Sequence, residues 1–300
     1  MAVNPTLPNI DAEFIEQVQQ FSLRVTQAGK GGRLAEQKTT AKGQGLEFAD
    51  YKPYAIGDDL RAIDWHVYRR LDRLFVRVFE EQQNLPVYIL LDHSSSMFVE
   101  SPARIQAAKQ CALALGAIAL NQQDSVRVLP FSSKLSIQNK PLSGKHQLFN
   151  LSEQLEQQQA VNDSNIGSSI LEFSSYPLRQ GLVVVVSDFF DSQGIKPIID
   201  ALSLVRHKLL LIQVTQPWDA DPELLDIGGD IRFEDSETAT TLDLQLTPTI
   251  LKEYHQSYNN FNNYINQFAQ ESGAELLQLN ASDAVLPQLS NLFEKGVVGS

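Results

Sequence analysis

A chain of 300 residues and 33.5 kDa, 43% hydrophobic and 20% charged, is long enough to bury a full core without disulfides or a structural metal. Its formal charge of −12 is uneven: residues 1–85 carry 11 basic and 12 acidic side chains, residues 86–300 carry 13 and 24, and Pro217–Gln245 alone has nine acids against Arg232. Such a surface argues against a nucleic-acid partner, which needs a basic face, and suits a basic protein or a bound cation. The single cysteine, Cys111, excludes an internal disulfide and a cysteine-based zinc site, and its apolar surroundings read as core. The longest apolar runs, Cys111–Leu120 and Leu182–Val186, fall short of the ~20 residues of a membrane helix, and no signal peptide is visible. The expectation is a cytoplasmic protein with no membrane span.

In chain order, Phe14, Ile15, Val18, Phe21 and Val25 recur at helical steps and predict a helix over Asp11–Gln27. The glycine-rich, basic stretch 28–45 lacks the G-x-x-x-x-G-K-[ST] spacing of a phosphate loop and reads as a mobile loop. Leu74–Phe79 alternates like a strand. After Pro86 the texture changes. Strands are predicted at Val87–Leu91, Ser125–Phe131, Leu182–Val186, Leu209–Val214 and Glu275–Leu279. Helices are predicted at Ala103–Leu120, Gln147–Gln158, Ser164–Leu178, Ile195–Val205, Thr249–Glu271 and Ala284–Phe293. Strands alternating with helices, and apolar without polar alternation, mean an α/β fold with a mostly parallel sheet covered by helices on both faces. The predicted division is an N-terminal accessory region over 1–85 and the α/β domain over 86–295. Within the latter, 217–245 is an acidic insertion in which Ile231–Phe233 and Leu242–Leu246 pair as a small hairpin.

In such folds ligands sit at the carboxyl ends of the strands. Two strands end in acids there: Val87–Leu91 runs into Asp92, and Leu182–Val186 into Ser187-Asp188. Asp92, Ser94 and Ser96 form a D-x-S-x-S string. Oxygen donors at alternate positions on a turn leaving a strand converge on one point, and hard oxygen ligands suit Mg²⁺ or Mn²⁺. Turn formation and helix capping are the plainer use of the same residues.

Val87–Met97, "VYILLDHSSSM", resembles the metal-ion-dependent adhesion site of von Willebrand factor A domains. That resemblance implies a metal held by Asp92, Ser94, Ser96, a hydroxyl from a middle loop, and Asp188 in "VVVVSDF". The middle loop departs from the pattern, because no Thr occurs between residues 92 and 188. Ser164 in "DSNIGSSIL" is the first substitute and Ser168 the second. A further stretch, Gly43–Arg70, is similar to the signature of the bacterial family catalogued as domain of unknown function 58: Glu47-Phe48, Lys52-Pro53-Tyr54 and Gly57-Asp58-Asp59-Leu60-Arg61-Ala62-Ile63-Asp64-Trp65. That resemblance implies association with MoxR-type AAA+ ATPases in protein-complex maturation.

The reading that follows is a non-enzymatic, divalent-metal-dependent adaptor. A Glu or Asp of a protein partner, the ATPase or its client, completes the coordination of Mg²⁺ (or Mn²⁺). The alternatives are a haloacid-dehalogenase-like phosphatase, with Asp92 as nucleophile and Ser187 as phosphate ligand, or a structural subunit with a degenerate metal site. Asp58, Asp59, Arg61, Asp64 and Trp65 are expected either to face a partner or to clamp the accessory region, with Trp65 as anchor. His93 is expected to be loop-exposed and non-ligating.

Overall fold

The computed structural model describes residues 10–28, 46–81, 85–99, 102–161, 164–225, 230–234, 241–245 and 247–294. The loop expected over 28–45 lies outside these residues, apart from Ala28, the last residue of the first helix. The chain divides into two compact units, Glu36–Asn84 and the remainder.

The large unit is a three-layer α/β/α sandwich. Its sheet contains β3 (Pro86–Asp92), β4 (Ser125–Phe131), β5 (Leu142–Ser143), β6 (Leu182–Ser187), β7 (Lys208–Thr215) and β10 (Glu275–Asn280), in the order β10-β7-β6-β3-β4-β5. All neighbours are parallel except the two-residue edge strand β5. The predicted architecture is therefore present. Because side chains alternate across a strand, each apolar strand feeds both faces. Val87, Ile89 and Leu91 of β3 join one core, and Tyr88 and Leu90 the other. β6 divides the same way, with Val184 and Val186 against Val183 and Val185. Each such side chain, fully buried, contributes about 1.5–3 kcal/mol.

The first core is roofed by α1 (Ala12–Ala28), α3 (Arg104–Asn121), α4 (Leu148–Glu156) and α9 (Val285–Glu294). The second is covered by α5 (Ile166–Ser175), α6 (Ile195–Leu202) and α8 (Pro248–Ser272). The run Cys111–Leu120 is apolar all round because α3 is buried all round, between the sheet and α1, α4 and α9. Gly116 allows α4 to approach closely: a Cβ there would stand 2.5 Å from the Leu151 Cδ2. Cys111 is fully buried and its thiol is pushed up to about 12 by burial, as its core reading requires.

One boundary differs from expectation. Helix α1 belongs with the large unit, although the sequence places it in a 1–85 accessory region. Its apolar stripe is buried against α3 and α9, Phe21 meets Phe293 edge-on at 6.2 Å, and Asn121 Nδ2 donates to Ser22 Oγ at 2.6 Å.

The small unit contains β1 (Leu46–Pro53) paired antiparallel with β2 (Phe75–Glu81), and α2 (Trp65–Leu71) between them in sequence. Both β1 and α2 escaped the sequence reading. Helix α2 starts where it does because Asp64 Oδ1 accepts from the His66 and Val67 amides, and it ends at Asp72 in the left-handed conformation (φ 51°). In the acidic insertion the chain forms α7 (Pro217–Ala220), a short 3₁₀ turn at Pro222–Leu225, and the predicted hairpin of β8 (Asp230–Glu234) with β9 (Thr241–Gln245).

Candidate metal centre

The chain runs from β3 to β4 on one side, and then crosses to β6, β7 and β10 on the other. The crevice between the carboxyl ends of β3 and β6 is therefore the point where the direction of winding reverses, the standard ligand position of an open α/β sheet. Asp92 ends β3 there, and Asp188 immediately follows β6. Both are buried, at 0% and 1% exposure, as are Ser94 and Ser187.

The local hydrogen bonds fix the carboxylates. Asp92 Oδ1 accepts from the Ser94 amide at 2.9 Å, and its Oδ2 from the Ser187 hydroxyl at 2.6 Å. Ser187 Oγ in turn accepts from the Phe189 amide. Ser94 and Ser96 bring their hydroxyls to 3.0 Å of each other. Asp188 Oδ1 accepts from the Phe190 amide at 3.0 Å. The turn after Asp188 carries strain, since Phe189, a buried aromatic residue, has φ 61°.

A third segment closes over the two strand ends. Val161 donates its amide to the His93 carbonyl and bridges Ser94, the Asn165 amide reaches the Ser132 carbonyl, and the Ile166 amide reaches Asp191 Oδ2 at 2.8 Å. Ser164 lies in this segment, two residues before α5 rather than inside a helix as expected, with Asn165 as the N-cap. Ser164 is buried, whereas Ser168 is exposed on α5 and its hydroxyl donates to the Asn165 and Ser133 carbonyls. Of the two candidate substitutes for threonine, Ser164 is the one with an uncommitted hydroxyl. His93 is half-buried rather than loop-exposed. Its Nδ1 lies 3.1 Å from the Gln159 carbonyl, and burial lowers its pKa.

Two buried polar atoms of this site have no hydrogen-bond partner: Ser164 Oγ and Asp188 Oδ2. Native interiors leave few such atoms, and each calls for an explanation such as an ion or water. Electrostatics point the same way. Burial, then the neighbouring charge of Asp92, push the Asp188 carboxyl up to about 7, and burial raises Asp92 as well. Two carboxylates that disfavour each other's ionisation in a dry crevice are relieved by a cation. The donor set consists of carboxylate and hydroxyl oxygens, which fits a small hard divalent ion. Among the described residues no group of three or more His, Cys, Asp or Glu converges on one point. A site built mainly from serines contains only two such groups.

The phosphatase alternative needs Ser187 turned to an incoming phosphate. Its hydroxyl instead donates to Asp92 and accepts from Phe189, and Asp92 has both oxygens engaged.

Sequence reasoning missed the cation beside this site. Arg104, the first residue of α3, donates from both terminal nitrogens to Asp219 at 2.6 and 2.7 Å and also to the Val214 carbonyl. Asp219, one of the nine acids of the insertion, is buried. It accepts in addition from the Gln216 amide, and its carbonyl accepts from Tyr254 Oη at 2.8 Å. The Arg104 guanidinium lies 5.8 Å from the Phe190 ring centre, and its charge partly offsets the upward shift of Asp188. The available signal was positional: an arginine in the first turn of a helix opposes the helix dipole and is favoured by an acid nearby.

The residues of the signature 57–65 find partners inside the small unit. Lys52 Nζ bonds Asp58 Oδ1 at 2.6 Å, Asp59 accepts from the Arg61 amide, and Asp64 takes the Tyr51 hydroxyl at 3.0 Å and Arg77 at 3.3 Å. These acids shape turns and cap helices. Trp65, expected as the anchor of a clamp, is 58% exposed, with its ring edge-on to Tyr68.

The sequence pattern of the family described as "Protein of unknown function DUF58" matches residues 50–263. No curated protein matches the chain. Among solved structures, the chain is similar to conserved hypothetical protein BatB from Bacteroides thetaiotaomicron (15% identity, 70% of this chain and 99% of that one, TM-score 0.41). It is also similar to an aerotolerance-related membrane protein from Bacteroides fragilis (17%, 70% and 99%, 0.39), and to the RO protein of Deinococcus radiodurans (16%, 71% and 35%, 0.32).

Proposed function

This chain belongs to the DUF58 family, and from that premise we propose that it is a non-enzymatic adaptor that captures a protein partner through a divalent metal ion. The observation that supports the reading is the orphaned buried oxygen Asp188 Oδ2, on a carboxylate raised by the neighbouring charge of Asp92 at the switch point of the sheet, together with a second orphaned buried oxygen, Ser164 Oγ, in the segment that precedes α5. Ser94, Ser96 and Ser164 would hold Mg²⁺ or Mn²⁺ through neutral hydroxyls, with Asp92 and Asp188 supplying the negative charge. An ion so held, with few anionic ligands, keeps affinity for one more oxygen, and a partner's Glu or Asp supplies it. Asp92 is fixed by Ser187 and the Ser94 amide, so its part is to orient the D-x-S-x-S turn.

The partner this reading proposes is a MoxR-type AAA+ ATPase or its client, in the cytoplasm. Among the described residues no helix is long and apolar enough to cross a membrane. The test has two parts. Calorimetric titration with Mg²⁺ and Mn²⁺ should give one site in the wild type and none in Asp92→Ala. Capture of the ATPase from lysate should occur in magnesium and fail in EDTA. Equal capture in both would remove the bridging role, and heat-silent, metal-insensitive protein would remove the site.

A further inference from the structure

Burying a charge is expensive unless a counter-charge or a full set of hydrogen bonds comes with it. Among the described residues two cationic side chains are buried, and both lie on α3. Arg104 has the Asp219 carboxylate on both terminal nitrogens. Lys109, 9% exposed, has no carboxylate within ion-pair distance among those residues. Its Nζ donates to the main-chain carbonyls of Glu156 and Gln158, each at 3.3 Å. An ammonium carries three donors, so two long bonds to neutral acceptors leave one N–H unspent. The carbonyls at the end of α4 favour a cation there, but they supply only a fraction of a negative charge. Burial lowers the pKa of Lys109, and the charge of Glu156, beyond ion-pair distance, opposes that shift.

This under-compensated cation lines a cavity. A space of about 300 Å³ lies by the first turns of α3 and the end of α4, with Phe98, Ala103 and Ile105 as its apolar wall and Gln106, Lys109 and Glu156 as its polar groups. An apolar wall with a few placed polar groups is the usual make-up of a small-molecule site, and this volume is at the small end of the range. We propose that the cavity binds a short aliphatic monocarboxylate, whose carboxylate takes the unspent N–H of Lys109 and whose chain lies against Phe98, Ala103 and Ile105. Charge selects the class. One carboxylate neutralises the ammonium and makes a charge-assisted hydrogen bond to it, and the Gln106 amide can donate to the second oxygen. Glu156, an exposed acid in the same lining, repels a second negative charge and so disfavours a phosphate ester. The proposal does not rest on the metal reading.

Amide NMR titration of the full chain with hexanoate, in EDTA, tests it. The wild type should show saturating shifts centred on Phe98, Ile105, Gln106 and Lys109, with a dissociation constant of about 1 mM, modest for a ligand of this size. Hexanamide keeps the chain and lacks the charge, and butyl phosphate adds a second charge; each should bind more weakly, on the order of tenfold. Lys109→Met should weaken hexanoate by at least a similar factor. Ala103→Leu keeps the ammonium and fills the apolar part of the cavity, so it should also lose hexanoate while the rest of its spectrum stays that of the wild type. Absence of saturating shifts in the wild type overturns the proposal. So does hexanamide binding as well as hexanoate, or hexanoate binding that survives Lys109→Met or Ala103→Leu. Butyl phosphate binding more tightly than hexanoate would overturn it in favour of a phosphate-ester site.

Discussion

Two buried acids at the same rim of the sheet are treated in opposite ways. Asp219 is met by both terminal nitrogens of Arg104, by the Gln216 amide and, through its carbonyl, by Tyr254. Asp188, near enough to feel the charge of Arg104, has only the Phe190 amide on one oxygen and nothing on the other. A structural acid in a dry place is compensated in full. An acid left half-satisfied next to a second carboxylate keeps room for a charge from outside, and this contrast separates the scaffold from the site.

The contrast can be broken hardest from the compensated side. Arg104→Ala leaves Asp219 buried without its cation, and should cost about 3–5 kcal/mol in urea unfolding. Arg104→Ala within 1 kcal/mol of wild type would show that the pair contributes little to the fold.

The uncompensated side should reveal itself through pH. Asp188 is raised in the folded state to about 7, from an ordinary carboxylate value of 3.8. A raised acid holds its proton more tightly when folded, so its contribution is complete below pH ~4 and is lost as pH rises toward ~7. Metal-free protein should therefore lose stability across that window, by up to about 1.4 kcal/mol per pH unit for the one proton. Asp188→Asn should flatten the slope, and Mg²⁺ should restore stability at pH 7.5. Urea titrations at pH 4.5, 6 and 7.5 read all three.

Smaller lesions sharpen the comparison. Tyr254→Phe removes one hydrogen bond to the Asp219 carbonyl and should cost about 1 kcal/mol, with metal affinity unchanged. Ser164→Ala removes a buried hydroxyl that has no partner, so metal-free stability should stay within about 0.5 kcal/mol of wild type. Its magnesium affinity should fall, on the order of tenfold. Ser168→Ala should change neither, because that hydroxyl serves α5.

Much of the fold was legible because the strands of the central sheet are apolar on both faces. Ser125–Phe131 was read to the residue, and β3, β6 and β7 to within one residue at each end. What escaped were elements without a strong hydrophobic period. Helix α2 is exposed on nearly every side chain, so it has no apolar stripe to read, and the edge strand β5 is two residues long. Strand β1 was hidden by its charged and small residues. Within the site, Asp92, Ser94 and Ser96 stood out by their spacing at the end of an apolar strand, and Asp188 by its place at the end of another. Ser164 over Ser168 did not, since both serines lie in one short segment and only the folded chain shows that Ser164 is buried ahead of α5 while the Ser168 hydroxyl bonds the Asn165 carbonyl.

By itself, then, the sequence determined the layers and the strand tips, because alternation and burial are local properties written residue by residue. Tertiary structure alone decided which acids are paid for by a cation and which are left waiting. Arg104 and Asp219 stand 115 residues apart, and no local pattern links them. It likewise decided that α1 joins the large unit, because the face it needed to bury found its cover on α3 and α9.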